Sequence, residues 1–97
     1  MNVILICTGG LSTSWIVRKI EEYAKTADPN LQLKNYGLAD YEPAVKDADA
    51  ILLGPQIGYY QKEIAEKTGK KVGVISSKDY ATANCPAILE QIHELAG

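Results

Sequence analysis

The sequence predicts an open α/β sheet of four parallel strands with helices on both faces. Three observations predict it. Short apolar runs recur at Val3–Ile6, Leu31–Tyr36, Asp49–Leu53 and Val72–Ile75. Segments with helical periodicity or helix-compatible composition separate them. The first, third and fourth runs are continuous rather than alternating, as strands covered on both faces require. Alternating strands and helices with short connections build a parallel sheet with right-handed crossovers. The chain of 97 residues, 46% hydrophobic, is read as one domain over residues 1–97 with a core large enough to need no metal or disulfide.

The elements follow in order. Val3-Ile4-Leu5-Ile6 is the first strand. A helix starts near Ser12, with Ile16, Ile20, Tyr23, Ala24 and Ala27 expected inward, and Asp28-Pro29-Asn30 ends it. Leu31 to Tyr36 alternates apolar and polar residues, which suits an edge strand; Gly37 breaks it. A short helical stretch spans Tyr41 to Lys46, with Pro43 tolerated in its first turn. Asp49 to Leu53 is the third strand, closed by Gly54-Pro55. Ile57 to Lys67 reads as one helix stopped by Thr68-Gly69. Val72 to Ile75 is the fourth strand. Ser76 to Asn84 is a loop or short helix, and Pro86 to Ala96 is a last helix with Ile88, Leu89, Ile92 and Leu95 inward. For a small open sheet of this kind the expected strand order is 2-1-3-4, flavodoxin-like. The ligand site then lies beyond the carboxyl ends of strands one and three, where the winding reverses. That brings Cys7 and the Gly54-Pro55-Gln56 turn to one crevice.

Composition narrows the function. A net charge of -2 and a pI near 5.3 leave no basic excess to drive nucleic-acid or anionic-membrane binding. No apolar run approaches the ~20 residues of a membrane span, and the N-terminus lacks a signal-peptide pattern. The expectation is a cytoplasmic protein, not itself embedded in a membrane. Two cysteines without a C-x-x-C arrangement and one histidine argue against Cys/His metal ligation. The expected compartment argues against a disulfide.

The chemistry is expected at Cys7-Thr8-Gly9-Gly10-Leu11-Ser12-Thr13-Ser14. Glycines let successive N–H groups converge on one anion. A helix start behind them adds orphan N–H groups and the positive end of its dipole. Ser12, Thr13 and Ser14 add hydroxyl donors, and a cysteine at the entrance has its thiolate favoured by the same field. A thiolate beside a seat for phosphate oxygens is an arrangement for attack at phosphorus. The competing reading makes Cys7 a small core residue at a strand end. The loop is neither a Walker A motif nor G-x-G-x-x-G. Low-molecular-weight tyrosine phosphatases carry a C-x-x-x-x-x-R loop at the corresponding place. Here Thr13 stands where that arginine would be, so the bidentate clamp is missing. Asp79 is the one candidate general acid for a hydrolase.

The loop resembles the C-x-x-G-x-S-T-S segment of lactose/cellobiose/chitobiose-type IIB components of the bacterial phosphoenolpyruvate-dependent sugar phosphotransferase system. Leu52-Leu53-Gly54-Pro55-Gln56-Ile57-Gly58-Tyr59 resembles that family's L-L-G-P-Q-I-x-Y segment. The resemblance spans the chain. It departs mildly, with Gly9 where Ala is common, Leu11 where Met is common, and Trp15 where an aliphatic residue is usual. It implies a fold like that of the low-molecular-weight phosphatases and a cytoplasmic phosphoryl carrier. In that role Cys7 takes a phosphoryl group from a phosphohistidine of IIA. It passes the group to a beta-disaccharide of the cellobiose, chitobiose or lactose class, translocated by the membrane component IIC. The reaction is that of a phosphohistidine:sugar phosphotransferase with a phosphocysteine intermediate. The backbone from Thr8 to Ser14 would hold the phosphoryl oxygens, and no metal or organic cofactor is implied. A transient relay suits a monomer. A small cysteine-dependent phosphatase or arsenate reductase, and a non-catalytic anion-sensing module, are the alternatives.

Other residues carry competing readings. Gln56 is a candidate for contacting the loop or the phosphoryl group, against a turn-packing role. Tyr59 and Tyr60 are adjacent and cannot both face the core, so one is a candidate for the site or a partner. Trp15 lies off the Ile16–Ile20 stripe and suits an interface anchor. Cys85, before Pro86, is read as structural, and His93 as an exposed helix residue.

Overall fold

The computed structural model describes residues 1–7 and 14–96. Four parallel strands form one sheet whose order, counted along the chain, is the expected 2-1-3-4. They are β1 (Asn2–Cys7), β2 (Gln32–Gly37), β3 (Ala50–Leu53) and β4 (Val72–Val74). The helices are α1 (Ser14–Ala27), α2 (Gln61–Thr68), α3 (Ser77–Thr82) and α4 (Cys85–Ala96), with 3₁₀ segments at Glu42–Asp47 and Pro55–Tyr60.

Strand alternation sorts β1 between two cores. Val3, Leu5 and Cys7 belong to the core shared with Ile16, Val17 and Ile20 of α1, Tyr80 of α3, and Ile88, Leu89 and Ile92 of α4. Ile4 and Ile6 belong to the opposite core, with Val45, Ile57 and Ile64. Helices therefore cover both faces, and β1 and β3 are buried along nearly their whole length. β2 buries Leu33 and exposes Gln32, Lys34 and Asn35, as an edge strand does. The other edge is closed by side chains. Gln61 Nε2 donates to the Val72 carbonyl and Gln91 Nε2 to the Val74 carbonyl, both at 2.8 Å.

Three expectations need correction. Tyr23 and Ala27 are exposed, while Val17 is buried. Val17 draws the buried arc of α1 round and leaves Tyr23 at its border, and Ala27 is the last residue of the helix. The single helix expected over residues 57–67 is two elements. Pro55–Tyr60 is 3₁₀, with Ile57 itself off helical geometry at φ -122° and ψ 22°, and α2 begins only at Gln61. The physical reason lies in the turn. Pro55 offers no N–H, and Ile57 N–H bonds back to the Gly54 carbonyl at 3.1 Å, a tight i→i+3 link that drives the Ile57 side chain into the core. Gly69, at φ 70°, stops α2 as expected. The segment after β4 is helical over Ser77–Thr82, capped by Ser76, whose Oγ accepts from Asp79 N–H at 3.1 Å. The predicted start of the first helix at Ser12 falls outside the described residues.

Candidate functional site

The winding of the sheet reverses between β1 and β3, and the two strands leave their last rung together. Ile6 lies opposite Leu53. One residue further, Cys7 pairs with Gly37 of β2, and on its other side β3 turns away at Gly54. Gly54 N–H donates to the Ile6 carbonyl at 3.0 Å and the Gly54 carbonyl accepts from Ile57. Both backbone groups of Gly54 are thus tied, and they hold its Cα against the Cys7 side chain. A Cβ placed on Gly54 would stand 2.7 Å from Cys7 Sγ and 2.9 Å from Gln56 Oε1. Cys7, Gly54 and Gln56, predicted to share a crevice, are brought together.

Cys7 is 4% exposed and Cys85 9%, and both are free thiols. Burial does not separate them; their neighbours do. Cys85 opens α4 in the same core as Cys7. Burial pushes the Cys85 thiol above its ordinary value. Lys19 and a backbone hydrogen bond pull the other way without cancelling it. That environment suits the structural role expected for it.

The aromatic candidates are held by other rings. Trp15 is 37% exposed, with its ring edge-on to Tyr80 at 6.4 Å and 79°. Part of the predicted interface anchor is therefore spent on an internal contact. Tyr59 is 77% exposed and leans on Tyr60, centroids 4.6 Å apart, while half-buried Tyr60 packs against the second core. Tyr59, through its charge first and a hydrogen bond second, holds the Tyr60 phenol above its ordinary value. Only Tyr59 of the pair is presented outward. His93 is exposed, and its Nε2 lies 2.9 Å from Asp28 Oδ2, which ties the end of α1 to α4. Asp79 is engaged in a cap. Its N–H bonds to Ser76 and its Oδ1 accepts from Asn84 Nδ2 at 3.2 Å.

Of the predicted phosphate seat, Thr8, Gly9, Gly10, Leu11, Ser12 and Thr13 lie outside the described residues, and Ser14 is the first residue of α1. Among the described residues no three His, Cys, Asp or Glu side chains gather as a metal site, and no helix is long and apolar enough to cross a membrane. The sequence places Gly54 in a strand-closing turn at the crevice with Cys7 but assigns it no role of its own. Its contact with the thiol is signalled solely by a glycine directly following a buried strand at the switch point.

Comparison with known proteins bears on the family and the fold. Residues 2–91 match the family model for the lactose/cellobiose-specific IIB subunit of the phosphotransferase system. The chain is 30% identical over 93 residues to the oligo-beta-mannoside-specific EIIB component of Bacillus subtilis (strain 168), covering 93% of this chain and 90% of that protein. It is 27% identical over 101 residues to the cellobiose-specific EIIB component of Lactococcus lactis subsp. lactis (strain IL1403), covering 96% and 94%. Among solved structures, the cellobiose-specific IIB component of Borrelia burgdorferi superposes with a TM-score of 0.73 at 32% identity, covering 99% of this chain and 87% of that one. The lactose-specific IIB domain of Streptococcus pneumoniae shares the fold with a TM-score of 0.83 at 20% identity, covering 100% and 98%. The strand order, the helices on both faces and the full-length match agree, and the chain belongs to the lactose/cellobiose-specific IIB family of the sugar phosphotransferase system.

Proposed function

We propose that this chain is the cysteine phosphoryl carrier of a sugar phosphotransferase system, with Cys7 as the residue that carries the group. The observation that supports it most is the position of Cys7. It ends β1 at the point where the winding reverses, against the β3 turn at Gly54, and the residues after it read Thr-Gly-Gly-Leu-Ser-Thr-Ser. Ligand sites of open parallel sheets lie at this point. In this reading the backbone and hydroxyls of Thr8, Gly9, Gly10, Leu11, Ser12, Thr13 and Ser14 hold the phosphoryl oxygens.

The reaction has two displacements at phosphorus. In the first, the Cys7 thiolate attacks the phosphohistidine of IIA. An S–P bond forms as the N–P bond breaks, and the imidazole leaves with a proton equivalent to the one the thiol gave up. In the second, a hydroxyl oxygen of the sugar held by IIC attacks the phosphocysteine. The O–P bond forms, the S–P bond breaks, the thiolate is regenerated and the hydroxyl proton passes to solvent. No cofactor enters either step.

Transfer is favoured over hydrolysis by two features. Thr13 stands where a phosphatase clamp would need arginine, and the Asp79 carboxylate is occupied by Asn84. The sugar is proposed to be a beta-disaccharide of the class named for its relatives. We take the chain to work as a single cytoplasmic domain over residues 1–97, as a monomer that meets IIA and IIC in turn, with exposed Tyr59 and Trp15 available to touch them.

The test is phosphoryl uptake from phosphorylated IIA. The chain should gain one phosphoryl group, and Cys7→Ser should lose that uptake. Steady turnover of an aryl phosphate without accumulation of phosphoprotein would overturn the carrier reading in favour of a phosphatase.

A further inference from the structure

We infer that Gly54 is a positioning residue for the Cys7 thiol: the absence of its side chain keeps open the space against which Sγ rests. The inference rests on the reading of Cys7 as phosphoryl acceptor. The backbone of Gly54 does not itself call for glycine. Its φ of -65° and ψ of 153° suit any residue. What calls for glycine is room. A Cβ there would meet Cys7 Sγ at 2.7 Å and Gln56 Oε1 at 2.9 Å, well inside van der Waals contact.

The two neighbours differ in how they can yield. Gln56 is exposed, and its carboxamide ends a long flexible side chain. Cys7 is buried, and its sulfur moves only by rotating about χ1 or by shifting β1. Gly54 cannot withdraw either, because its N–H is bound to Ile6 and its carbonyl to Ile57. The pressure of any side chain at this position therefore falls on the thiol. Displacing a nucleophile by about an ångström is worth up to ~100-fold in rate. The β3 turn thus sets the angle from which Sγ addresses phosphorus, and Gln56 closes the same space from its open side.

The experiment is a double-mutant cycle on the full chain. Gly54→Ala should lower the melting temperature by several degrees, rotate the Cys7 χ1 seen in its Hα–Hβ couplings, and slow phosphoryl uptake by roughly 10- to 100-fold. In a Cys7→Ala background, where there is no sulfur to crowd, at least about half of the melting loss should disappear. Gly73→Ala is the control. Its Cβ would meet Leu95 Cδ1 at 2.6 Å, so it should destabilise while leaving the Cys7 couplings and uptake unchanged. If Gly54→Ala alone does not fold, the double variant with Cys7→Ala should recover folding, and failure to do so would contradict the inference. An equal melting cost in both backgrounds, with uptake confined to Cys7, would overturn this inference alone. Uptake that persists in Cys7→Ser would overturn the carrier reading and this inference with it.

Discussion

Cys7 and Cys85 share one apolar core, are both buried and are both free, yet only Cys7 is proposed to carry chemistry. Cys85 opens a helix, where orphan N–H groups and the dipole favour a thiolate, and Lys19 adds a positive charge. Burial outweighs both, and the Cys85 thiol is pushed up. Cys7 ends a strand at the reversal of the sheet, with Gly54 against its sulfur and the exposed Gln56 carboxamide on the same glycine. The difference teaches that a helix terminus alone does not lower a thiol's pKa when burial opposes it. What separates the two is their place in the fold: Cys85 lies in the first turn of α4, and Cys7 lies at the sheet's winding reversal against Gly54.

The largest expected contrast is between the two serine variants. Cys85→Ser should keep phosphoryl uptake within about twofold, while Cys7→Ser removes it, because the proposal places the phosphoryl group on the thiol at the switch point. Comparable loss in both variants would break the comparison. Next comes the core over Cys85. Ile88 is fully buried, and Ile88→Ala should cost about 2–5 kcal/mol in urea unfolding. It should also speed alkylation of Cys85 more than that of Cys7; equal acceleration would mean that the two corners open as one unit.

The Cys85 thiol also gives a pH dependence with a definite sign. Its folded pKa is raised by burial, so the unfolded chain ionises first as pH rises. The protonated thiol contributes stability that is fully present below the ordinary thiol range. That contribution is lost as pH climbs from there through the raised folded value. The alkaline fall in stability should be shallower in Cys85→Ser than in the parent chain, and an unchanged slope would count against a raised pKa. The smallest effect is expected at Gln91, which holds α4 to the β4 edge through the Val74 carbonyl. Gln91→Ala should cost about 1 kcal/mol and leave Cys7 alkylation unaltered.

Much of the fold was legible because strands buried on both faces are written as continuous apolar runs. Val3–Ile6 and Ala50–Leu53 carry that signal within a few adjacent residues, and the strand order is the flavodoxin-like one expected of a small open sheet. The misreadings arose where a local pattern met a distant partner. The burial of Val17 and exposure of Tyr23 depend on how α1 rotates against the sheet, which helical spacing alone leaves open. The break at Ile57 was obscured because its apolar side chain continues the stripe to Ile64 even though its backbone is not helical. Trp15 was off the buried stripe, as expected, but its contact with Tyr80 joins residues far apart in the chain. The site divides in the same way. The sequence singles out Cys7 by its place between a strand and a glycine-rich stretch, and the expected strand order brings it to the β3 turn. The crowding at Gly54 was not legible, because it depends on the register that sets Ile6 opposite Leu53.

The central claim is that the phosphoryl group resides on Cys7. Its most direct test is fragmentation mass spectrometry of the intact chain after brief exposure to phosphorylated IIA, under conditions that preserve phosphocysteine. The account predicts one phosphoryl group, on the fragment that contains Cys7, and its disappearance when IIC and sugar are added. A phosphoryl group on Cys85 or His93, with Cys7 unmodified, would contradict it.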